Sequence, residues 1–247
     1  MHTDYQKWWS PALGQDMELK VYGRSGKPMI VFPSSGGRFY EYEDFGMVEA
    51  CRPFIDDDRI QLFTLDSVDG QSWLNRAINP VDRAGRHDAY ERYVRDEVAP
   101  FINSRNRSGE KFLASGCSMG AFHAANFLFR LPGLFNAVIG LSGLYGPNYL
   151  LDNYRDSRLY YYFPLLYLPN LEDPYYLNRY RQSRIILCVG QGPWERCDQY
   201  DCIGETRALG DILSAKGVPA WVDFWGPDVS HDWPWWRVQA PYFLARL

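Results

Sequence analysis

Apolar positions along this chain fall in short runs separated by longer stretches of helical spacing. That rhythm predicts a mostly parallel sheet covered by helices on both faces. Met17-Glu18-Leu19-Lys20-Val21-Tyr22 alternates between apolar and polar positions and reads as an edge strand. Pro28 to Pro33 and Ile185 to Gly190 are continuous apolar runs and read as inner strands. Ile60–Leu65, Lys111–Ser115, Ala137–Ser142 and Ala220–Trp225 complete the predicted set. Tyr90, Tyr93, Val94, Val98 and Ile102 recur at helical spacing over about Arg86–Asn103, and further helices are expected over Ala121–Arg130, Gly204–Lys216 and after Pro234. The first residues, including His2, read as a mobile tail. Residues 143–184 interrupt the rhythm with a stretch rich in Tyr, Leu, Asn and Pro. Structureless loops of that length usually cover a site, so it reads as an insertion over the strand ends, or else as a packed set of short helices.

Within this pattern, Gly116-Cys117-Ser118-Met119-Gly120 lies where a strand gives way to a helix. A Gly-x-Ser-x-Gly turn there holds a serine hydroxyl outward on a strained backbone, and needs small residues where strand and helix cross. Ser118 is therefore the candidate nucleophile. A serine hydroxyl needs a base, and the chain has four histidines. His231 follows the last predicted strand, at the carboxyl rim where ligands gather in such sheets, and is the candidate base. His123, five residues past Ser118, is expected to pack against the sheet, and His87 to lie near the start of a surface helix. The base needs a carboxylate to hold its tautomer. Glu195 comes soonest after the strand ending at Gly190, with Asp198 as the alternative. Asp228 and Asp232 read as turn-forming or structural. Oxyanion donors are expected from the Met119 N–H and, in Pro33-Ser34-Ser35-Gly36-Gly37, from the Ser35 N–H, with Gly36 as the alternative. Trp73, Tyr161, Trp194 and Trp233 are candidate walls of an apolar, aromatic substrate pocket.

Composition narrows the remaining possibilities. The 247 residues read as one domain, and a formal charge of −4 without long basic runs argues against a nucleic-acid partner. There is no span-length apolar run and no apolar leader at the N-terminus, so a cytoplasmic protein off the membrane is expected. The five cysteines lack metal-type spacing, and reduced thiols are the expected state, although Cys197 and Cys202 lie close enough in sequence to bridge. Gly190-Gln191-Gly192 lacks the third glycine of a dinucleotide fingerprint. No metal or organic cofactor is expected.

The order Ser118, Glu195, His231 is that of an α/β-hydrolase. Phe32 to Gly37, Gly116 to Ala121, Gly190 to Glu195 and His231 to Trp236 make the chain resemble the esterase family that includes esterase D, feruloyl esterases and the mycolyltransferases. The resemblance runs from about residue 16 to the end. It implies an α/β-hydrolase fold, with Ser118 as nucleophile, Glu195 as acid and His231 as base. The first oxyanion loop departs from relatives, which often read His-Gly or Asp-Gly where this chain has Pro33-Ser34. The expected function is hydrolysis of a small-molecule carboxylic ester through an acyl-enzyme. Two alternatives are acyl transfer on the same triad, and a non-catalytic protein holding a carbohydrate or aromatic ligand on a hydrolase fold.

Overall fold

Eight strands form one sheet. They are β1 (Thr3–Ser10), β2 (Gln15–Tyr22), β3 (Lys27–Phe32), β4 (Ile60–Leu65), β5 (Phe112–Cys117), β6 (Phe135–Leu141), β7 (Arg184–Val189) and β8 (Trp221–Phe224). Their order across the sheet is β1-β2-β4-β3-β5-β6-β7-β8. β1 and β2 run antiparallel to their neighbours, and the rest are parallel. This is the α/β-hydrolase architecture. The computed structural model describes residues 1–152 and 154–247.

The N-terminal reading requires correction. Met17–Tyr22 is not the edge, and the first residues are not a tail, because Thr3–Ser10 pairs along the whole of β2. The turn between them closes with the Gly14 N–H donating to Ser10 C=O at 2.7 Å, Gly14 taking φ +64°. β1 alternates exposed and half-buried residues, as a strand with one solvated face must.

Ten helices cover the sheet among the described residues. α1 (Glu41–Asp44) and α2 (Met47–Asp56) follow β3, and α3 (Pro80–Tyr93) passes through a π turn at Val94–Val98 into α4 (Ala99–Arg105). α5 (Met119–Arg130) leaves β5, and α6 (Asn148–Leu151), α7 (Pro164–Tyr167) and α8 (Pro174–Arg181) lie between β6 and β7. α9 (Cys202–Ala215) and α10 (Trp233–Leu244) complete the chain. On one face, side chains of α3, α4, α5 and α9 pack with Ile30, Phe32, Phe63 and Val138. On the other, α2 and α10 pack with Met29, Val31, Leu62 and Ile139. Inner strands β4 and β5 are buried throughout, as their unbroken apolar runs require.

The tyrosine-rich stretch is built of short packed helices, and its first part also covers the strand ends, where Leu144 and Tyr149 line the cavity at Ser118. Its described residues form α6, α7, α8 and two 3₁₀ turns, Ser157–Tyr162 and Leu168–Asn170. Leu150, Leu151, Leu159 and Phe163 pack around Trp73 and Phe122. His87 also departs from expectation: it lies in mid-α3, buried between Trp73 and His123. Among the described residues no helix is long and apolar enough to cross a membrane.

Candidate active site

Ser118 links β5 to α5 at φ +57° and ψ −119°, a backbone conformation that costs a non-glycine residue on the order of 1–3 kcal/mol. The surrounding packing holds it there. The Ser118 N–H donates to Leu141 C=O at 2.9 Å, tying the turn to β6. A Cβ on Gly116 would lie 2.7 Å from Gly120 Cα, and one on Gly120 would lie 2.8 Å from Pro33 C=O. Strand, turn and helix therefore meet at a distance only glycine allows.

His231 is delivered by the loop between β8 and α10. Its N–H donates to Pro193 C=O at 3.0 Å, and its ring meets Trp236 edge-on at 5.0 Å. Asp232 accepts a hydrogen bond from the Trp233 N–H at 2.7 Å, so it caps α10 and is structural, as expected.

Glu195 is wholly buried after β7. Its Oε2 lies 3.1 Å from His231 Nδ1. Its Oε1 accepts from the Ser142 hydroxyl at 2.7 Å and the Gly190 N–H at 3.1 Å. Ser142 Oγ in turn accepts from Trp236 Nε1 at 3.1 Å. A carboxylate without water is tolerable only when its oxygens are bonded in this way. Asp198 lies instead on a separate cleft.

Ser35, Ser118, Met119 and His231 line one cavity of about 160 Å³. The remaining walls are Leu144, Tyr149, Tyr200 and Cys202. Gly36 is not on this lining; it takes φ +72° in a turn closed by the Gly37 N–H donating to Ser34 C=O at 2.9 Å. Tyr149 and Tyr200 meet edge-on at 5.8 Å and also border a second cavity of about 900 Å³. That cleft carries Arg76 paired with Asp152, together with Asp198, Asp201 and Glu205. Glu205 accepts from the Tyr145 and Gly146 N–H groups, and burial raises its carboxyl above the ordinary range. The cavity at Ser118 thus has apolar and aromatic walls in Met119, Leu144, Tyr149 and Tyr200, whereas the larger cleft beyond the two tyrosines is polar and carries an excess of carboxylates.

None of the four predicted aromatic walls reaches the cavity lining. Trp73 has no exposed surface and packs on Phe122, Tyr162 and Phe163. Tyr161 is 65% exposed and borders a separate hollow with Tyr167, Tyr176 and Tyr180. Trp194 is 63% exposed, and Trp233 stacks on Phe45 at 4.4 Å. Further residues at the site, not expected from the sequence, come from the rims of β6 and β7. Ser142 follows β6, Tyr149 lies on α6 within the inserted stretch, and Tyr200 and Cys202 follow Glu195 after β7.

Two further polar groups stand near the site. Asp69 Oδ1 lies 2.8 Å from His123 Nε2, so His123 is buried in a polar pair instead of simply packing on the sheet. Cys202 Sγ lies 3.9 Å from His231 Nδ1, and burial raises this thiol far above the ordinary cysteine range. Cys202, Glu195 and His231 could together offer donors to a soft divalent ion, but only by giving up the His231–Glu195 hydrogen bond. All five cysteines are unbridged.

Fold and rim define an α/β-hydrolase. Residues 10–247 match a family model described as "Putative esterase", and the chain belongs to that esterase family. No curated protein sequence matches it. Among solved structures it is similar to an S-formylglutathione hydrolase from Staphylococcus aureus, at 16% identity and TM-score 0.70, covering 99% of this chain and 96% of that one. It is similar to MPT51 from Mycobacterium tuberculosis, at 12% identity and TM-score 0.72, covering 98% and 97%. It is also similar to a ferulic acid esterase from Anaeromyces mucronatus, at 9% identity and TM-score 0.67, covering 98% and 88%.

Proposed function

We propose that this esterase hydrolyses a small carboxylic ester through an acyl-enzyme on Ser118. His231 takes the Ser118 proton as the hydroxyl attacks the ester carbonyl, and Glu195 holds the ring and stabilises the imidazolium. The Met119 and Ser35 N–H groups receive the oxyanion. His231 then returns the proton to the departing alcohol. Water, deprotonated by the same histidine, releases the acid. The chemistry uses no cofactor.

The observation that carries this reading is the convergence of Ser118 and His231 on one cavity, with Glu195 bonded 3.1 Å from the far ring nitrogen. The cavity's small size suits a short acyl group. The polar cleft across Tyr149 and Tyr200 suits an ester whose remainder is hydrophilic. We also read the protein as cytoplasmic, because five unbridged thiols fit a reducing compartment.

A fluorophosphonate probe tests the mechanism. Wild-type protein should take one adduct, which Ser118→Ala abolishes and His231→Ala greatly reduces. The same two substitutions should lower kcat by a factor on the order of 10⁴. A folded wild-type chain that takes no adduct would refute the catalytic reading. Product analysis with a competing alcohol separates hydrolysis from acyl transfer: the account predicts acid as the main product.

A further inference from the structure

Ser35 lines the catalytic cavity but sits on an exposed turn, and an oxyanion donor on such a turn is useful only if the turn is fixed before reaction. Glu41 fixes it. Glu41, the first residue of α1, reaches back to Ser34 with both carboxylate oxygens. Its Oε2 accepts from the Ser34 N–H at 2.8 Å and its Oε1 from the Ser34 hydroxyl at 2.7 Å. These are charge-assisted bonds to the residue immediately preceding Ser35. The other end of the turn is held as well: the Ser67 hydroxyl donates to Gly37 C=O at 3.4 Å, and Arg38 Nε donates to Asp66 at 2.6 Å.

Gly37 completes the arrangement. A Cβ at this position would lie 2.6 Å from Glu41 Oε2, and the other carboxylate oxygen and Cδ crowd it too. The half-buried carboxylate therefore occupies the space a side chain at residue 37 would need. Burial raises the Glu41 carboxyl above the ordinary glutamate range, against the lowering effect of its bonds to Ser34. A group desolvated at that cost, and spent wholly on one loop residue, fits a clamp better than a chance surface contact.

We infer that Glu41 is a positioning residue that locks the Ser34–Gly37 turn so that the Ser35 N–H points at the oxyanion. This rests on the assignment of Ser118 as nucleophile and Ser35 as donor. Glu41 touches no reacting atom, and its effect passes through the geometry of one donor. Loss of an entire oxyanion donor costs about 10²–10³ in kcat, so loosening one should cost less.

The experiment measures ester turnover by the full chain, with active sites counted by fluorophosphonate labelling. Glu41→Ala should lower kcat per labelled site by about 10- to 100-fold with little change in KM. Glu41→Gln should recover most of that loss, since the amide can accept the Ser34 N–H and still bond its hydroxyl. Gly37→Ala should reproduce the loss in the wild-type background. It should add almost nothing to Glu41→Ala, where the carboxylate it would strike is gone. If Glu41→Ala does not fold, Ser34→Ala carries the test, because it deletes only the bond to Oε1 and should lower per-site kcat by about 3- to 10-fold. Unchanged per-site kcat in whichever of these variants folds, or an equal cost of Gly37→Ala in both backgrounds, would overturn the clamp. Absence of labelling on wild-type Ser118 would instead overturn the reading beneath it.

Discussion

Replacing Glu195 with glutamine changes one atom type in a site whose surroundings dictate how the amide must lie. Gly190 N–H and the Ser142 hydroxyl both donate toward Oε1, so the amide oxygen belongs there. The NH₂ group is then forced toward His231 Nδ1. An imidazole facing a donor at Nδ1 carries its own proton on Nε2, the nitrogen that must receive the Ser118 proton. Flipping the amide restores the tautomer but sets NH₂ against the fixed Gly190 N–H. Leaving that buried donor unpaired costs about 1–3 kcal/mol. At about 2 kcal/mol, only about one molecule in thirty holds the productive arrangement. That fraction also lacks the negative charge that stabilises the imidazolium, worth a further ~1.5–3 kcal/mol. Together these predict a fall in kcat of about 10³, approaching 10⁴, smaller than for Ser118→Ala. The assay is p-nitrophenyl acetate turnover at neutral pH, with an unchanged urea midpoint or better as the folding control. A kcat within about tenfold of wild type would refute the reasoning. A larger loss in Asp198→Asn than in Glu195→Gln would move the acid to Asp198.

Ser142→Ala removes a donor to Glu195 and leaves Trp236 Nε1 unpaired, so it should cost about 1–3 kcal/mol in urea unfolding and lower kcat. Ser118→Gly should unfold at higher urea than Ser118→Ala, because glycine adopts φ +57° without strain; equal midpoints would contradict a strained turn. Trp73→Ala should cost about 3–5 kcal/mol of stability while leaving KM of the folded fraction unchanged, as suits a core residue. Burial, aided by His123 and Arg130, holds the His87 imidazole well below its ordinary range, so the unfolded chain takes up a proton near pH 6.5 that the native chain refuses. Stability should therefore fall as pH drops below about 6.5, by about 1.4 kcal/mol from this group at pH 5.5. His87→Phe, among Trp73, Phe122 and Tyr162, should flatten that slope in urea titrations.

The residues that a local pattern marks were legible in the sequence. Gly116 and Gly120 flank Ser118 because strand and helix touch there, a demand written within five positions. Glu195 and His231 are the groups expected beyond predicted strands, and the sheet, which brings strand ends to one rim, sets them 3.1 Å apart. Side chains whose role depends on which way they face were not legible. Trp73 and Tyr149 are both aromatic and near loops, yet one fills the core and the other walls the cavity. The polar cleft escaped notice because Arg76, Asp152 and Asp198 come from separate loops and meet only in the fold. β1 was hidden by its mixed exposure: half its side chains face water, so it has no apolar run, and Gly14 alone signalled the hairpin. α2 carries Pro53 in its interior, which a helix search reads as a stop.

The proposed reaction turns on a covalent acyl group carried by one serine. The most direct measurement is acid-quenched p-nitrophenyl acetate turnover followed by peptide mass spectrometry. The account predicts a pre-steady-state burst and an acetyl group confined to the peptide bearing Ser118, absent from Ser118→Ala. Turnover by the wild-type chain with the acetyl group on another residue, or with undiminished rate in Ser118→Ala, would contradict it.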